Sequence, residues 1–109
     1  MKQKTLVLCG GVGGAKLAYG LSKLTAPEEI VFLVNTGDDF IHLDLYISPD
    51  LDTVMYTLAG VNDPKKGWGV KEETWNALES LKKYGLDIWF QLGDKDLATH
   101  IRRTQLLKE

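Results

Sequence analysis

A chain of 109 residues, 44% apolar and 26% charged, has the length of one small soluble domain with a modest core. Its net charge of −2, with Lys and Arg scattered among Asp and Glu, excludes a basic stripe for nucleic acid and an acidic tail for a basic partner. A lone Cys9 excludes a disulfide framework, and no apolar run approaches the roughly 20 residues of a membrane span; a reducing, cytoplasmic setting without membrane or nucleic-acid partners is expected.

Met1-Lys2-Gln3-Lys4 opens onto about five apolar residues, too few for a secretory leader. Thr5 to Cys9 reads as a buried strand closed by the run Gly10-Gly11-Val12-Gly13-Gly14. Lys16 to Leu24 then has the helical period, with Leu17, Ala18, Leu21 and Leu24 on one face, and Pro27 ends it. Ile30 to Val34 is a continuous apolar run, predicting a second strand covered on both faces. Asn35 to Ile47 lacks a clean period and reads as a loop holding at most a short extended piece. Ser48 and Pro49 suit the N-cap and first position of a helix whose apolar face is Leu51, Val54, Met55 and Leu58, with Gly60 as its stop.

Asn62 to Gly69 is a polar loop carrying Trp68 between two glycines. A helix from about Glu72 to Tyr84 turns Trp75, Leu78 and Leu81 inward and stops at Gly85. Ile88 to Leu92 reads as a third strand, and Gly93-Asp94 turns into a last helix bearing Leu97, Ala98, Ile101 and Leu106. The alternation predicts the α/β class: a single Rossmann-like domain over residues 1–109, with a parallel sheet of about three strands and flanking helices. So thin a sheet reads as an incomplete domain, the amino-terminal portion of something longer, whose open edge leaves room for a homodimer.

Two clusters carry chemistry. The glycine run between strand and helix suits a phosphate, because backbone N–H groups and the helix dipole attract an anion there. It is not the dinucleotide fingerprint, since Lys16 stands where the third glycine belongs, and not a Walker loop, since Ala15-Lys16-Leu17 replaces Gly-Lys-Ser/Thr. A tight turn without a ligand is the competing reading. Asp38, Asp39, Asp50 and Asp52 gather at the carboxyl ends of the first strands, where carboxylates repel unless a hard cation such as Mg2+ separates them. Asp50 and Asp52 also suit the dipole of their own helix. Asp94 is a plausible helix cap, His100 alone is more often structural than catalytic, and Arg102 and Arg103 read equally well as a solvated face.

Gly10-Gly11-Val12-Gly13-Gly14-Ala15-Lys16-Leu17, Val34-Asn35-Thr36-Gly37-Asp38-Asp39, Ile47-Ser48-Pro49-Asp50-Leu51-Asp52-Thr53-Val54, Gly67-Trp68-Gly69 and Leu92-Gly93-Asp94-Lys95-Asp96-Leu97-Ala98-Thr99-His100 occur in register over Thr5 to Leu107. In these five motifs the chain resembles the 2-phospho-L-lactate transferases of coenzyme F420 biosynthesis. The resemblance implies a Mg2+-dependent transfer of a phospholactyl or phosphoenolpyruvyl group from a guanosine diphosphate-linked donor to the deazaflavin Fo, with release of GMP.

It further implies that Asp52 contacts Fo; on that footing Asp50 and Asp52 are expected to be the catalytic carboxylates, and Asp38, Asp39 and Asp50 to hold or support the metal. Gly10, Gly11, Gly13, Gly14, Asn35, Asp94 and His100 are expected on the substrates. Gln91 stands where the family has a basic residue, a departure that removes a positive charge from the Fo site. The family also continues well past this length, so a fragment that binds without catalysing is the alternative. Uridine-sugar-nucleotide-binding regulators share the glycine-rich opening but lack the paired Ser-Pro-Asp-Leu-Asp and Leu-Gly-Asp motifs.

Overall fold

In the computed structural model, which describes residues 3–109, Thr5–Cys9 forms strand β1 and Ile30–Val34 forms β2, paired in parallel from Thr5↔Ile30 to Cys9↔Val34. Met1 and Lys2, part of the opening segment that is too short for a leader, lie outside the described residues. Helix α1 (Gly11–Leu24) connects the two strands, and a short 3-10 turn at Pro27–Glu29 delivers the chain into β2. Helix α1 begins five residues earlier than its apolar period indicates, so the glycine run supplies its first turn. Its inward face is Ala15 and Ala18, while Leu17 and Leu24 are exposed. The two alanines let α1 lie close against α2 (Pro49–Ala59), and with Val54 they form a core joined by Cys9, Phe32, Val34 and Leu58.

Asn35 to Ile47, expected as a loop, forms an antiparallel hairpin of β3 (Phe40–His42) and β4 (Leu45–Ile47). The two turn residues, Leu43 and Asp44, both have positive φ (52° and 62°). That turn is normally built from Asn and Gly, so its composition hid it. Leu43 is held there because its side chain packs with Ile47, Leu78 and Leu92 in a second core, which Phe40, Trp75, Ile88 and Phe90 complete.

Ile88 to Leu92 is a correction to the expected third strand: the segment is irregular, with a bend at Phe90, and pairs with no strand among the described residues. Its apolar side chains, Ile88, Phe90 and Leu92, fill the hairpin core and not a sheet. The architecture of the described residues is therefore mixed α/β: one two-stranded parallel sheet, one two-stranded antiparallel sheet and four α-helices, the last two being α3 (Asn76–Lys83) and α4 (Asp94–Leu107). No helix of the described residues is long and apolar enough to cross a membrane.

The β1–β2 sheet is covered on one face only, a second correction. Leu6 and Leu8 are 61% and 72% exposed, and their register partners Val31 and Leu33 are 51% and 58% exposed. Parallel strands are ordinarily sandwiched between layers, and here α1 and α2 supply one layer alone. The molecule is accordingly a slab of 56 × 34 × 19 Å. The other helices also turn polar residues inward: α2 buries Asp52 and Tyr56 beside Val54, while Leu51 and Met55 stay exposed. In α4, His100 and Thr104 are buried and Ile101 and Leu106 exposed.

The loop between α2 and α3 is pinned over the amino terminus of α1. Gly67, in the left-handed region at φ +77°, approaches Val12 so closely that a Cβ would stand 2.7 Å from its Cγ1. Gly13 has open space around its Cα. Gly67→Ala is therefore expected to destabilise the fold by about 1–3 kcal/mol, whereas Gly13→Ala, inside a helix, should be neutral or stabilising; urea unfolding of the two variants beside the parent checks the contrast.

Candidate functional site

A cleft of about 640 Å³ lies between α1, α2, the Gly67–Gly69 loop and the start of α4. That is the size of an ordinary small-molecule site. Among the residues expected on substrates or in catalysis, Gly11, Asp50, Asp52, Gln91 and His100 line it. Trp68, Trp75, Trp89 and Phe90 supply broad aromatic walls.

The glycines of the run serve different ends. Gly11 adopts φ +66°, a left-handed turn from strand into helix that a side chain would resist. Gly10 lets Asp50 and Asn35 approach, since a Cβ there would lie 3.0 Å from Asp50 Oδ2 and 3.2 Å from Asn35 Cβ. Gly14 packs on Cys9 in the same way, at 3.3 Å. No side chain caps α1 and its first turn holds no acid, so its leading amides, at Gly11 and Val12 on the cleft wall, have no side-chain acceptor although Asp50 lies close by.

Around that turn the polar residues tie element ends together. Asn35 donates through Nδ2 to Asp50 Oδ2 (3.0 Å) and accepts from the Gly37 amide (3.0 Å). Ser48 takes the N-cap position of α2 as expected, but its hydroxyl donates to Asp39 Oδ2 (2.9 Å) instead of capping the backbone. Asp38 is exposed on the same loop. Asp94 lies outside the cleft wall. Its carboxylate accepts from the Thr74 hydroxyl (2.6 Å), the Ala77 amide (2.9 Å) and the Asn76 amide (3.0 Å), so it caps α3 and not its own helix. Those donors, Thr74 first, hold its carboxyl down to about 2. Glu73 does the same for α4: it accepts from the Lys95 amide (2.9 Å) and the Asp96 amide (3.0 Å). The two helix starts are thus capped reciprocally.

Asp52 is buried on α2, 5% exposed. Arg103 ion-pairs with Oδ1, while Oδ2 has no hydrogen-bond partner. Arg103 also donates to the carbonyl of Tyr46 (3.0 Å) and lies 3.2 Å from His100 Nδ1. A guanidinium only donates, so His100 Nδ1 is the acceptor and Nε2 carries the proton, which goes to Asp96 Oδ2 at 2.9 Å. Asp52 Oδ2, 3.6 Å from His100 Nδ1, therefore faces another acceptor and is left without a donor. Tyr56 completes the network, donating to Asp96 Oδ1 at 2.6 Å; burial, and then that bond, push its phenol up.

Asp52, Asp96 and His100 bring potential ligand atoms within 4.8 Å of one another, the one such group of three among the described residues. Both histidine nitrogens are engaged and Arg103 pairs the carboxylate, which marks the group as a proton and charge network. Sequence reasoning left Arg103 as a solvated residue and did not single out Tyr56 or Glu73. The signal for Arg103 was its spacing, since Asp96, His100 and Arg103 fall on one helical face at i, i+4 and i+7. Glu73 acts across the fold and left no local signal.

Burial lifts the Asp52 carboxyl to about 6 in spite of the Arg103 guanidinium beside it. Because that lies above the ordinary carboxylate value of about 3.9, its charge costs the folded state stability. The group is stabilising below pH ~4, and that contribution is lost as pH rises through about 6. The parent should therefore lose on the order of 2 kcal/mol between pH 4 and 7 that Asp52→Asn does not lose; parallel slopes in urea unfolding would remove the effect from Asp52.

Comparison with known proteins agrees with the sequence motifs. Residues 5–109 match the family described as "2-phospho-L-lactate transferase CofD". A protein named phosphoenolpyruvate transferase from Mycobacterium ulcerans (strain Agy99) is 51% identical over 96% of this chain and 36% of its own length. Its namesake from Mycobacterium tuberculosis (strain ATCC 25618 / H37Rv) is 47% identical, also over 96% of this chain and 36% of its own. The chain thus spans about a third of the length of the curated relatives it matches.

Proposed function

The chain belongs to the 2-phospho-L-lactate transferase CofD family, and from that premise we propose that its cleft serves the transfer of a phosphoenolpyruvyl or 2-phospholactyl group to the deazaflavin Fo in coenzyme F420 biosynthesis. The donor is a guanosine diphosphate-linked three-carbon acid, and GMP is released. The relatives named phosphoenolpyruvate transferase favour the phosphoenolpyruvyl group.

One observation carries this reading: the unpartnered Oδ2 of Asp52, buried on the cleft wall. A buried acceptor without a donor costs about 1–3 kcal/mol, which a substrate hydroxyl entering the cleft would recover. A ribityl hydroxyl of Fo donates to Oδ2. Its oxygen attacks the phosphorus bearing the three-carbon acid, the bond to GMP breaks, and the hydroxyl proton passes to Asp52. A carboxyl lifted to about 6 is suited to accept that proton near neutral pH. Trp68, Trp75, Trp89 and Phe90 offer stacking faces for a planar tricyclic ring. Gln91 on the same wall provides a neutral hydrogen-bonding contact.

The amides at the start of α1, from Gly11 onward, suit a donor phosphate. In this arrangement Gly10, Gly11 and Gly14 shape the turn, Gly13 lies in the first turn of α1, Asn35 holds Asp50, Asp94 orders the α3–α4 junction and His100 braces Asp52. Asp38, Asp39 and Asp50 offer hard oxygens of the kind Mg2+ takes, but their ligand atoms do not gather into a group of three among the described residues, so the residues present do not fit a Mg2+ held by all three. A Rossmann-like sheet fits this opening β1–α1–β2 unit when the rest of a family polypeptide extends it. The cytoplasm is the compartment this chemistry suits.

A second reading, binding without turnover, is favoured by the chain's span of about a third of its relatives. Titrating Fo by its own fluorescence separates the outcomes. The parent should bind, Asp52→Asn should bind about tenfold more weakly through loss of one charged hydrogen bond, and Gln91→Lys should bind at least as well as the parent. Equal affinity of Asp52→Asn and parent would sink the Asp52 assignment, and release of GMP from the donor decides between catalysis and binding alone.

A further inference from the structure

The cleft wall has a lopsided charge. Asp50, Asp52, Asp63, Glu72, Glu73 and Asp96 line it, against Lys66 as the one Lys or Arg among the described residues. Arg103 lies behind the wall, spent on Asp52, His100 and Tyr46. A phosphate-bearing ligand therefore meets one free cation as it enters.

Lys66 is placed for that encounter. Its Nζ sits 5.0 Å from the ring centre of Trp68 and 5.5 Å from that of Trp75, and no carboxylate among the described residues ion-pairs with it. Two indole faces attract the ammonium without consuming its hydrogen bonds. The backbone beneath it is fixed. Asp63 Oδ1 accepts from the amides of Lys65 (2.9 Å) and Lys66 (3.3 Å), Gly67 N donates to Asp63 O (2.9 Å), and Asp63 N donates to Gly69 O (3.0 Å). Gly67, the next residue, packs on Val12 in the first turn of α1, so the ammonium and the uncapped amides of α1 belong to one side of the cleft.

We propose that Lys66 is the residue by which this cleft recognises the diphosphate of a nucleoside diphosphate-linked donor. Trp68 and Trp75 aim its ammonium at a phosphate oxygen. The proposal rests on the donor reading above and adds the specificity residue to it. It also accounts for the Gly67-Trp68-Gly69 motif, whose two left-handed glycines, at φ +77° and +75°, set the turn that presents both the cation and one of its aromatic supports.

The test compares guanosine diphosphate with guanosine, which differ only in the phosphates, by calorimetry on the parent, Lys66→Gln and Lys66→Arg. The parent should prefer guanosine diphosphate. Lys66→Gln should lose about tenfold for the diphosphate and nothing for guanosine, and Lys66→Arg should keep the preference. Matching thermal melts establish that the exposed side chain changes no folding. If the parent prefers the diphosphate and Lys66→Gln keeps that preference in full, the role of Lys66 is overturned and the donor reading stands. If the parent does not distinguish the two ligands, both fall.

Discussion

Arg103 is the interaction on which the site depends. Its guanidinium reaches α2 through Asp52, β4 through the Tyr46 carbonyl and its own helix through His100. Tyr46 N donates to the neighbouring Thr104 hydroxyl at 2.8 Å, so α4 satisfies both backbone groups of an exposed strand edge with two consecutive side chains. An unpaired edge of β4 would otherwise offer N–H and C=O groups to any other strand. Instead the hairpin is tied to α4, and the buried charge of Asp52 has its counter-ion. Without that ion pair, a carboxylate 5% exposed would be a costly buried charge.

Two apolar clusters frame this charged seam. The first, around Ala15, Ala18 and Val54, joins α1 and α2 to one face of the parallel strands. The second, around Ile47, Leu78 and Leu92, binds the hairpin to α3 and to the segment before α4. Neither is large, and the cleft lies where they meet. At that join lie Tyr56, Asp96, His100 and Arg103, a polar network complete but for Asp52 Oδ2. The open face of Leu6, Leu8, Val31 and Leu33 is the complementary feature, a parallel sheet with one of its two usual layers.

Much of this was legible in the chain itself. Strand, glycine run, helix and strand occur in the expected order because continuous apolar runs and glycine turns are local signals. Ser48, Pro49 and Gly60 bound α2 as expected, with Gly60 in the left-handed cap at φ +73°. The hairpin escaped notice because its turn is Leu43-Asp44, a pair whose positive φ values are held by packing and not by turn chemistry. Ile88 to Leu92 has the composition of a strand, yet a strand needs a ladder partner, and its side chains are claimed by the hairpin core. Within helices the inward faces were misjudged where polar residues, Asp52 and Tyr56 on α2 and His100 on α4, took positions that apolar neighbours were expected to fill.

The sequence by itself determined the family, the opening β–α–β unit, the glycine turn and the identity of Asp52 as the residue to watch, since each is written in contiguous motifs. Only the tertiary structure decided what those residues do to one another. It left Asp52 Oδ2 without a donor, set Glu73 and Asp94 to cap each other's helices across roughly twenty positions, and separated Arg103, partly buried and tied to three elements, from Arg102, exposed beside it. The reason is physical. Secondary-structure and turn preferences act over a few neighbouring residues, whereas burial, counter-ions and caps depend on which distant segments the two cores press together.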